Sequence, residues 1–176
     1  MRVDFYVLPD AVPDGLLRLA CRLTEKAWGV GHPVYLHAPS VAVAQRVDDL
    51  LWSFRQGSFV PHARLQDALP PTPPILIGEG VGPGAEGLEP ALLAQMHTLL
   101  RSPNPSPSPP WEVSPVPGSL LVNLCPAVPQ FFGGFERIIE LVDQAPDNLR
   151  MGRSRFAFYR QQGITPESHN LTSAAG

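Results

Sequence analysis

Short apolar runs alternate with amphipathic helix patterns from the first residues of the chain onward. Residues 3–8 (VDFYVL) precede a helical pattern over residues 15–28, and Val34–Ala38 precedes a second helical pattern that Ser40 can cap. Parallel strands need long crossover connections, which helices of this length supply, and such connections are right-handed. The sequence therefore predicts an α/β fold: a single three-layer domain with a mainly parallel sheet.

Three further apolar runs, each bounded by proline or glycine, predict additional strands. They lie at residues 74–78 (PILIG), 119–124 (SLLVNL) and 135–142 (FERIIELV). The last run fits a helix about as well as a strand, and the glycines at 133 and 134 favour the strand. Residues 148–162 predict a final helix. Residues 53–69 carry a weaker pattern, and the polar tail of residues 166–176 is expected to be frayed.

Proline is concentrated in the middle of the chain. It accounts for 22 of 176 residues, and 15 of these lie from Pro70 to Pro129, whereas about 5% is usual in soluble proteins. Residues 79–118 are therefore expected to be a Gly/Pro-rich insertion in the single domain of residues 1–176. The insertion contains a helix candidate at residues 90–100 and the run SPNPSPSPP at residues 102–110, expected to be extended and mobile.

Charge and hydropathy exclude several classes of protein. The formal net charge of −3 gives the molecule no overall field to hold duplex nucleic acid or an anionic membrane. No apolar stretch approaches the ~18 residues of a membrane span, and the N-terminus lacks the apolar run of a secretion signal. Cys21 and Cys125 lie in apolar runs without CxxC spacing, which favours core thiols. We therefore expect a cytoplasmic protein that binds no membrane.

Catalytic and cofactor motifs are poorly supported. Gly80, Gly82 and Ala85 match the loose GxGxxG/A pattern, but a Pro-Gly pair lies where the helix of a dinucleotide site must begin. Lys26 is the only lysine and does not follow a glycine, so a Walker-type loop is absent. The histidines show no HxH, HxxxH or HExxH spacing, and no serine lies in GxSxG. The sequence thus predicts no catalytic residue, no metal and no cofactor.

An enzyme stays open as the alternative, because distant residues can converge when a chain folds. Open α/β sheets place their ligands at the carboxyl edge of the strands. The alternative is therefore a nucleotide-binding α/β enzyme of unknown reaction, such as a nucleotide-dependent transferase using that edge.

The last predicted helix is the most informative segment for binding. At helical spacing, Leu149, Arg153, Phe156 and Arg160 form one stripe in which two guanidinium groups flank an aromatic ring. Arginine binds carboxylates bidentately, so the stripe suits a partner with carboxylates and an apolar side chain. A solvated basic face and direct binding of single-stranded DNA are the other interpretations. The helix holds four of the chain's twelve arginines: Arg150, Arg153, Arg155 and Arg160.

A second candidate surface is the segment LLWSFRQGSFVPH at residues 50–62. Trp52, Phe59, Val60 and Pro61 place large apolar groups outside a regular element. Tryptophan and phenylalanine often anchor protein interfaces, but they also pack beneath loops, and the residues alone slightly favour core packing.

The order of segments resembles the chi subunit family of bacterial DNA polymerase III, a clamp-loader accessory subunit. The resemblance runs along most of the chain and is fairly specific as a combination. The matching pieces are FYVL at residues 5–8, KAWGVGHPVYLHA at 26–38, LLWSFRQGSFVPH at 50–62, PILIG at 74–78, LLVNL at 120–124, FERIIELVD at 135–143 and RSRFAFYRQQG at 153–163.

This resemblance implies a nucleotide-binding-like sheet without a catalytic role, and two protein partners. One is the psi subunit of the clamp loader; the other is the acidic, Phe-ending C-terminal tail of single-stranded DNA-binding protein. Contact with DNA is then indirect, and the protein is a monomer or a heterodimer.

Site residues follow from the resemblance by position. Arg153 and Phe156 match the family's tail-binding positions, and Arg150 and Arg160 lie close enough to assist. The psi-facing positions are matched by Trp52, Phe59 and Val60, with Pro61 beside them. Two departures are the long insertion and the residues Leu149 and Ala157, which stand where relatives can carry a basic side chain.

Overall fold

Seven parallel strands form one sheet in the computed structural model, which describes residues 1–69, 72–80 and 116–172. The strand order is β3-β4-β2-β5-β6-β1-β7, and every neighbouring pair is parallel. The α/β fold class is thereby confirmed. The strands are β1 (Arg2–Val7), β2 (Val34–Ala38), β3 (His62–Arg64), β4 (Ile75–Glu79), β5 (Val116–Asn123), β6 (Phe135–Val142) and β7 (Glu167–Asn170).

Helices cover both faces of the sheet. Helices α1 (Gly15–Gly29) and α2 (Val41–Ser53) pack on one face, and α3 (Pro146–Gln161) packs on the other. The predicted cap of α2 is confirmed, since the hydroxyl of Ser40 accepts a hydrogen bond of 3.3 Å from the amide of Val43. Two short 3₁₀ segments, Leu65–Asp67 and Gln130–Gly134, complete the described regular elements.

Side-chain alternation along the strands divides the core into two layers. In β2, Val34, Leu36 and Ala38 face α1 and α2, whereas Tyr35 belongs to the layer beneath α3. All five residues of β2 are buried, as expected of an interior strand of a parallel sheet covered on both faces. The same alternation confirms the strand at Phe135–Val142, whose pattern alone fitted a helix equally well.

The expected fraying of the tail is wrong for its first half. Residues of β7 pair in register with β1, from Asp4 opposite Glu167 to Val7 opposite Asn170. Leu171 extends the ladder by donating its amide to the carbonyl of Val7 at 2.9 Å. An edge strand needs few apolar side chains because backbone hydrogen bonds to a single neighbour hold it, which explains why a polar sequence forms one. The three-residue strand β3, at the opposite edge, was missed for a similar reason.

The predicted insertion lies mainly outside the described residues. Its first residue, Glu79, instead ends β4, and its last three residues open β5. The helix candidate at residues 90–100 and the run at residues 102–110 both fall outside the part of the chain that the structure describes.

Both cysteines are free thiols. Cys21 is buried, and Cys125 is partly buried with its Sγ donating to the carbonyl of His37 at 3.7 Å. Burial raises the pKa of each thiol to about 12, so both remain protonated near neutral pH. Their placement agrees with the expectation of packed thiols. Among the helices that the structure describes, none has the length and apolar character needed to cross a membrane.

Burial of His37 predicts a loss of stability in mild acid. His37 is 5% exposed, its Nδ1 has no hydrogen-bond partner in the described part of the chain, and burial lowers its pKa to about 4. As the pH falls, the unfolded chain takes up this proton first, because an unperturbed histidine has a pKa of about 6.5. From about pH 7.5 to about pH 5, His37 should lower the free energy of unfolding by about 2 kcal/mol.

Denaturant unfolding of the chain and of His37→Gln at both pH values measures this contribution. The variant should lose correspondingly less stability between the two pH values. An equal loss in the two proteins would contradict the prediction.

Candidate protein-binding surfaces

A buried polar network attaches α3 to the sheet. The carboxylate of Glu140 in β6 is fully buried and accepts hydrogen bonds from Arg155 Nε at 2.6 Å and from the Tyr159 hydroxyl at 2.8 Å. On the neighbouring strand, Asn123 Nδ2 lies 3.1 and 3.2 Å from its two oxygens. Burial raises the pKa of Glu140, and the guanidinium of Arg155 opposes this shift. A buried carboxylate is stable only while its donors stay in place, so this network holds α3 against the sheet.

Arg155 therefore has a different role from the other arginines of its helix. Its Nη1 donates to the carbonyl of Pro126 at 3.2 Å and its Nη2 to the carbonyl of Leu141 at 3.0 Å. Close approach of the helix is possible because Gly152 faces β6; a Cβ on it would lie 2.8 Å from Cγ2 of Val142. The sequence contained a signal for this, since 152, 155 and 159 share one helix face opposite an acidic residue in an apolar strand.

The outer side of α3 carries the remaining arginines. Arg153 and Arg160 are exposed, and neither forms an ion pair with any residue that the structure describes. Arg150 is also exposed and pairs with Asp147 at 2.9 Å. Phe156 lies at the boundary: it is half-buried, and its ring packs against that of Phe5 with centroids 5.3 Å apart. We call Arg150, Arg153, Phe156 and Arg160 the α3 arginine surface.

In the second predicted site, some residues lie on the surface and one lies in the core. Trp52 and Phe59 are 54% and 67% exposed, and their rings contact each other with centroids 5.6 Å apart. Val60 is instead part of the core, with 1% of its surface exposed, and Pro61 is partly buried. Val60 therefore anchors the segment from within and presents no surface to a partner. We call Trp52 and Phe59, with Pro61 beside them, the Trp52–Phe59 surface.

At the carboxyl edge of the sheet, several polar groups are engaged within the fold. Asn123 Oδ1 accepts from the amide of Cys125, and Asp143 Oδ1 accepts from the amide of Ala145 and from Asn148 Nδ2. The amide of Gly80 donates to the carbonyl of Ala38 at 2.6 Å, so it is unavailable to a phosphate. The rest of the loose glycine pattern lies outside the described residues. These bonds give no support to the nucleotide-binding alternative.

Asp4, Glu167 and His169 are the one group in the described residues whose ligand atoms are close enough to hold a metal ion. Asp4 already pairs with Arg2 at 3.0 Å and with Arg137 at 2.7 Å. Burial opposes ionisation of Asp4, but the hydrogen bonds from His169 and Arg137 outweigh it and lower its pKa. With two guanidinium groups beside it, the group fits an ion-pair network that fixes β7 on β1 better than a cation site.

The described residues thus define an open, parallel α/β protein whose polar groups at the carboxyl edge form hydrogen bonds within the fold. The α3 arginine surface and the Trp52–Phe59 surface lie elsewhere. Comparison with known proteins gives the family. The family model of the DNA polymerase III chi subunit, HolC, matches residues 1–167. The chain belongs to the chi subunit family of DNA polymerase III, which confirms the predicted family and gives it an accessory role in DNA replication.

Three curated relatives are similar along nearly their whole length, and each is named DNA polymerase III subunit chi. The relative from Pseudomonas aeruginosa is 35% identical, covering 97% of this chain and 96% of that protein. The relative from Haemophilus influenzae is 25% identical with 96% of each chain covered. That from Escherichia coli is 26% identical with 91% of each chain covered.

Proposed function

We propose that this chain is a non-catalytic adaptor of the clamp loader that uses two separate surfaces. The α3 arginine surface binds the C-terminal tail of single-stranded DNA-binding protein, and the Trp52–Phe59 surface binds the psi subunit. The observation that carries the proposal is the sorting of the arginines of α3. Arg155 is hydrogen-bonded within the buried network, whereas Arg153 and Arg160 are exposed beside the half-buried ring of Phe156.

Charge and shape support an acidic tail that ends in phenylalanine. Arg153 and Arg160 lie three residues before and four residues after Phe156, so both guanidinium groups flank the ring on one side of the helix. Carboxylates of the tail can pair with these groups, and its terminal ring can pack at the edge of Phe156. Exposed ion pairs are individually weak, so the charges speed the encounter and the apolar contact provides specificity.

The rings of α3 argue against direct binding of single-stranded DNA. Bases stack on aromatic faces that are open to solvent. Phe156 packs against Phe5, and Phe158 packs edge-on against Phe132 with centroids 5.5 Å apart. Among the rings that the structure describes, none beside the arginines of α3 is fully exposed.

Binding of a labelled acidic peptide ending in phenylalanine tests the tail site. Arg153→Ala should weaken binding by about threefold, because an exposed ion pair contributes about 0.2–1 kcal/mol. Phe156→Ala should weaken it by about tenfold or more, as loss of an interface anchor does. Fluorescence anisotropy at low and physiological salt measures both effects, and affinity should fall as salt is added.

Arg22→Ala is the matched control, since Arg22 is an exposed arginine on α1, on the other face of the sheet. Its affinity should equal that of the unmodified chain. Equal weakening by Arg22→Ala and Arg153→Ala, or affinity indifferent to salt, would count against the α3 arginine surface.

The exposed aromatic pair supports a second protein contact. Large aromatic side chains exposed together and in contact are typical interface anchors. Trp52 lies in the last turn of α2 and Phe59 lies between α2 and β3, while α3 packs on the opposite face of the sheet. The two partners can therefore bind at the same time, as an adaptor requires.

Co-purification and calorimetry with the psi subunit test this second surface. Trp52→Ala and Phe59→Ala should each weaken binding by about tenfold or more, because each removes a ring that becomes buried in the complex. Val30→Ala is the control, since Val30 is 70% exposed and lies elsewhere. The tail peptide should bind all three variants normally. If both aromatic variants bound psi with unchanged affinity, the assignment of this surface would be wrong.

A further inference from the structure

A histidine lies directly beneath the Trp52–Phe59 surface. His62 opens the edge strand β3, and its side chain is fully buried. Its ring contacts the indole of Trp52 with centroids 4.8 Å apart. Because Trp52 is half-exposed, the imidazole packs against the inner side of its indole.

The same imidazole also holds the backbone next to Phe59. Its Nδ1 lies 2.6 Å from the carbonyl oxygen of Val60. A carbonyl can only accept a hydrogen bond, so Nδ1 carries the proton and donates it. His62 therefore contacts both halves of the surface, Trp52 through its ring and the segment that carries Phe59 through this hydrogen bond.

The second ring nitrogen is left facing a carboxylate. Among the residues that the structure describes, the buried Nε2 has no hydrogen-bond partner, and the carboxylate oxygen at ion-pair distance is Oδ1 of Asp48 at 3.5 Å. With Nδ1 protonated, a neutral imidazole points the bare lone pair of Nε2 toward this carboxylate, which is unfavourable. A proton on Nε2 converts the repulsion into an ion pair and places a cation within reach of the Trp52 ring.

Other charges near β3 are engaged elsewhere. On the strand itself, Arg64 donates to Glu79 of β4 at 3.4 Å and to Gln45 of α2 at 3.2 Å. The register partner of His62 on β4 is Ile75. Asp49 of α2 accepts from Gln45. Within the described ranges, Asp48 is thus the one carboxylate at ion-pair distance from the imidazole.

We infer that His62 is a positioning residue that makes the Trp52–Phe59 surface dependent on protonation. When Nε2 takes a proton, contacts with Asp48 and with the indole fix Trp52 in the exposed orientation, while the bond to Val60 keeps Phe59 beside it. Affinity for an apolar partner should then be higher in mildly acidic than in mildly basic solution. The identity of the partner rests on the proposed function, whereas the predicted response of Trp52 to protonation of His62 does not.

Fluorescence of Trp52 tests the inference without any partner. The chain has three tryptophans, so the full chain with Trp28→Phe and Trp111→Phe retains Trp52 as its sole indole. A neighbouring imidazolium quenches indole emission, so emission should fall as the pH is lowered from about pH 8.5 to about pH 5.5. His62→Gln in the same background should remove this step. Asp48→Asn should move its midpoint to lower pH, because the negative charge that favours the imidazolium is gone.

Far-UV circular dichroism checks that each variant is folded. If His62→Gln fails to fold, the shift of the midpoint in Asp48→Asn decides the question. The absence of a step, or an unchanged step in a folded His62→Gln or Asp48→Asn chain, would overturn the inference.

Binding of psi at two pH values tests the consequence. The unmodified chain should bind psi about threefold more tightly at about pH 6 than at about pH 8, relative to the same comparison in His62→Gln. An equal pH dependence in the two chains would overturn the claim that His62 tunes the surface. If psi bound at neither pH while the fluorescence step was present, the proposed function would fail and the inference about Trp52 would stand.

Discussion

The buried ion pair between Glu140 and Arg155 is the interaction on which the rest of the structure depends. It joins an interior strand of the sheet to the helix that crosses it, and Asn123 extends it to the next strand. A buried carboxylate without its cationic partner is strongly destabilising, so the helix cannot rotate or slide without a large cost. The pair therefore fixes the orientation of α3 more strictly than apolar packing alone, because arginine donates in three fixed directions.

This orientation explains the outer surface of α3. With Gly152, Arg155 and Tyr159 turned toward the sheet, Arg153 and Arg160 necessarily point to solvent, and Phe156 falls at the boundary between core and surface. The opposite part of the molecule follows a similar logic, because the buried Val60 and His62 support the exposed Trp52 and Phe59. In both places, buried residues determine which side chains are exposed on the surface.

The sequence predicted the interior of the sheet better than its edges or its buried polar groups. Apolar runs and helical periodicity located β2, β6 and all three described helices, because these elements are buried on at least one face. Edge strands β3 and β7 were missed since backbone pairing, rather than apolar pattern, holds them. Helical spacing placed Arg153 and Arg160 on one stripe without Arg155, but it gave no sign that Arg155 is buried, because a helix period shows which residues share a face and not which face is buried. Val60 was assigned to the surface by resemblance, and its neighbours Phe59 and Pro61 gave no sign that it turns inward.

A double-mutant cycle between Glu140 and Arg155 tests the central role of their ion pair most directly. Unfolding free energies are measured for Glu140→Leu, Arg155→Met and the combined variant, which replace the charges with apolar groups of similar size. Each single change should cost about 3–5 kcal/mol because it leaves a buried charge unpaired, and the combined change should cost far less than their sum. Additive costs would show that the two side chains stabilise the protein independently and would contradict this account of how α3 is held.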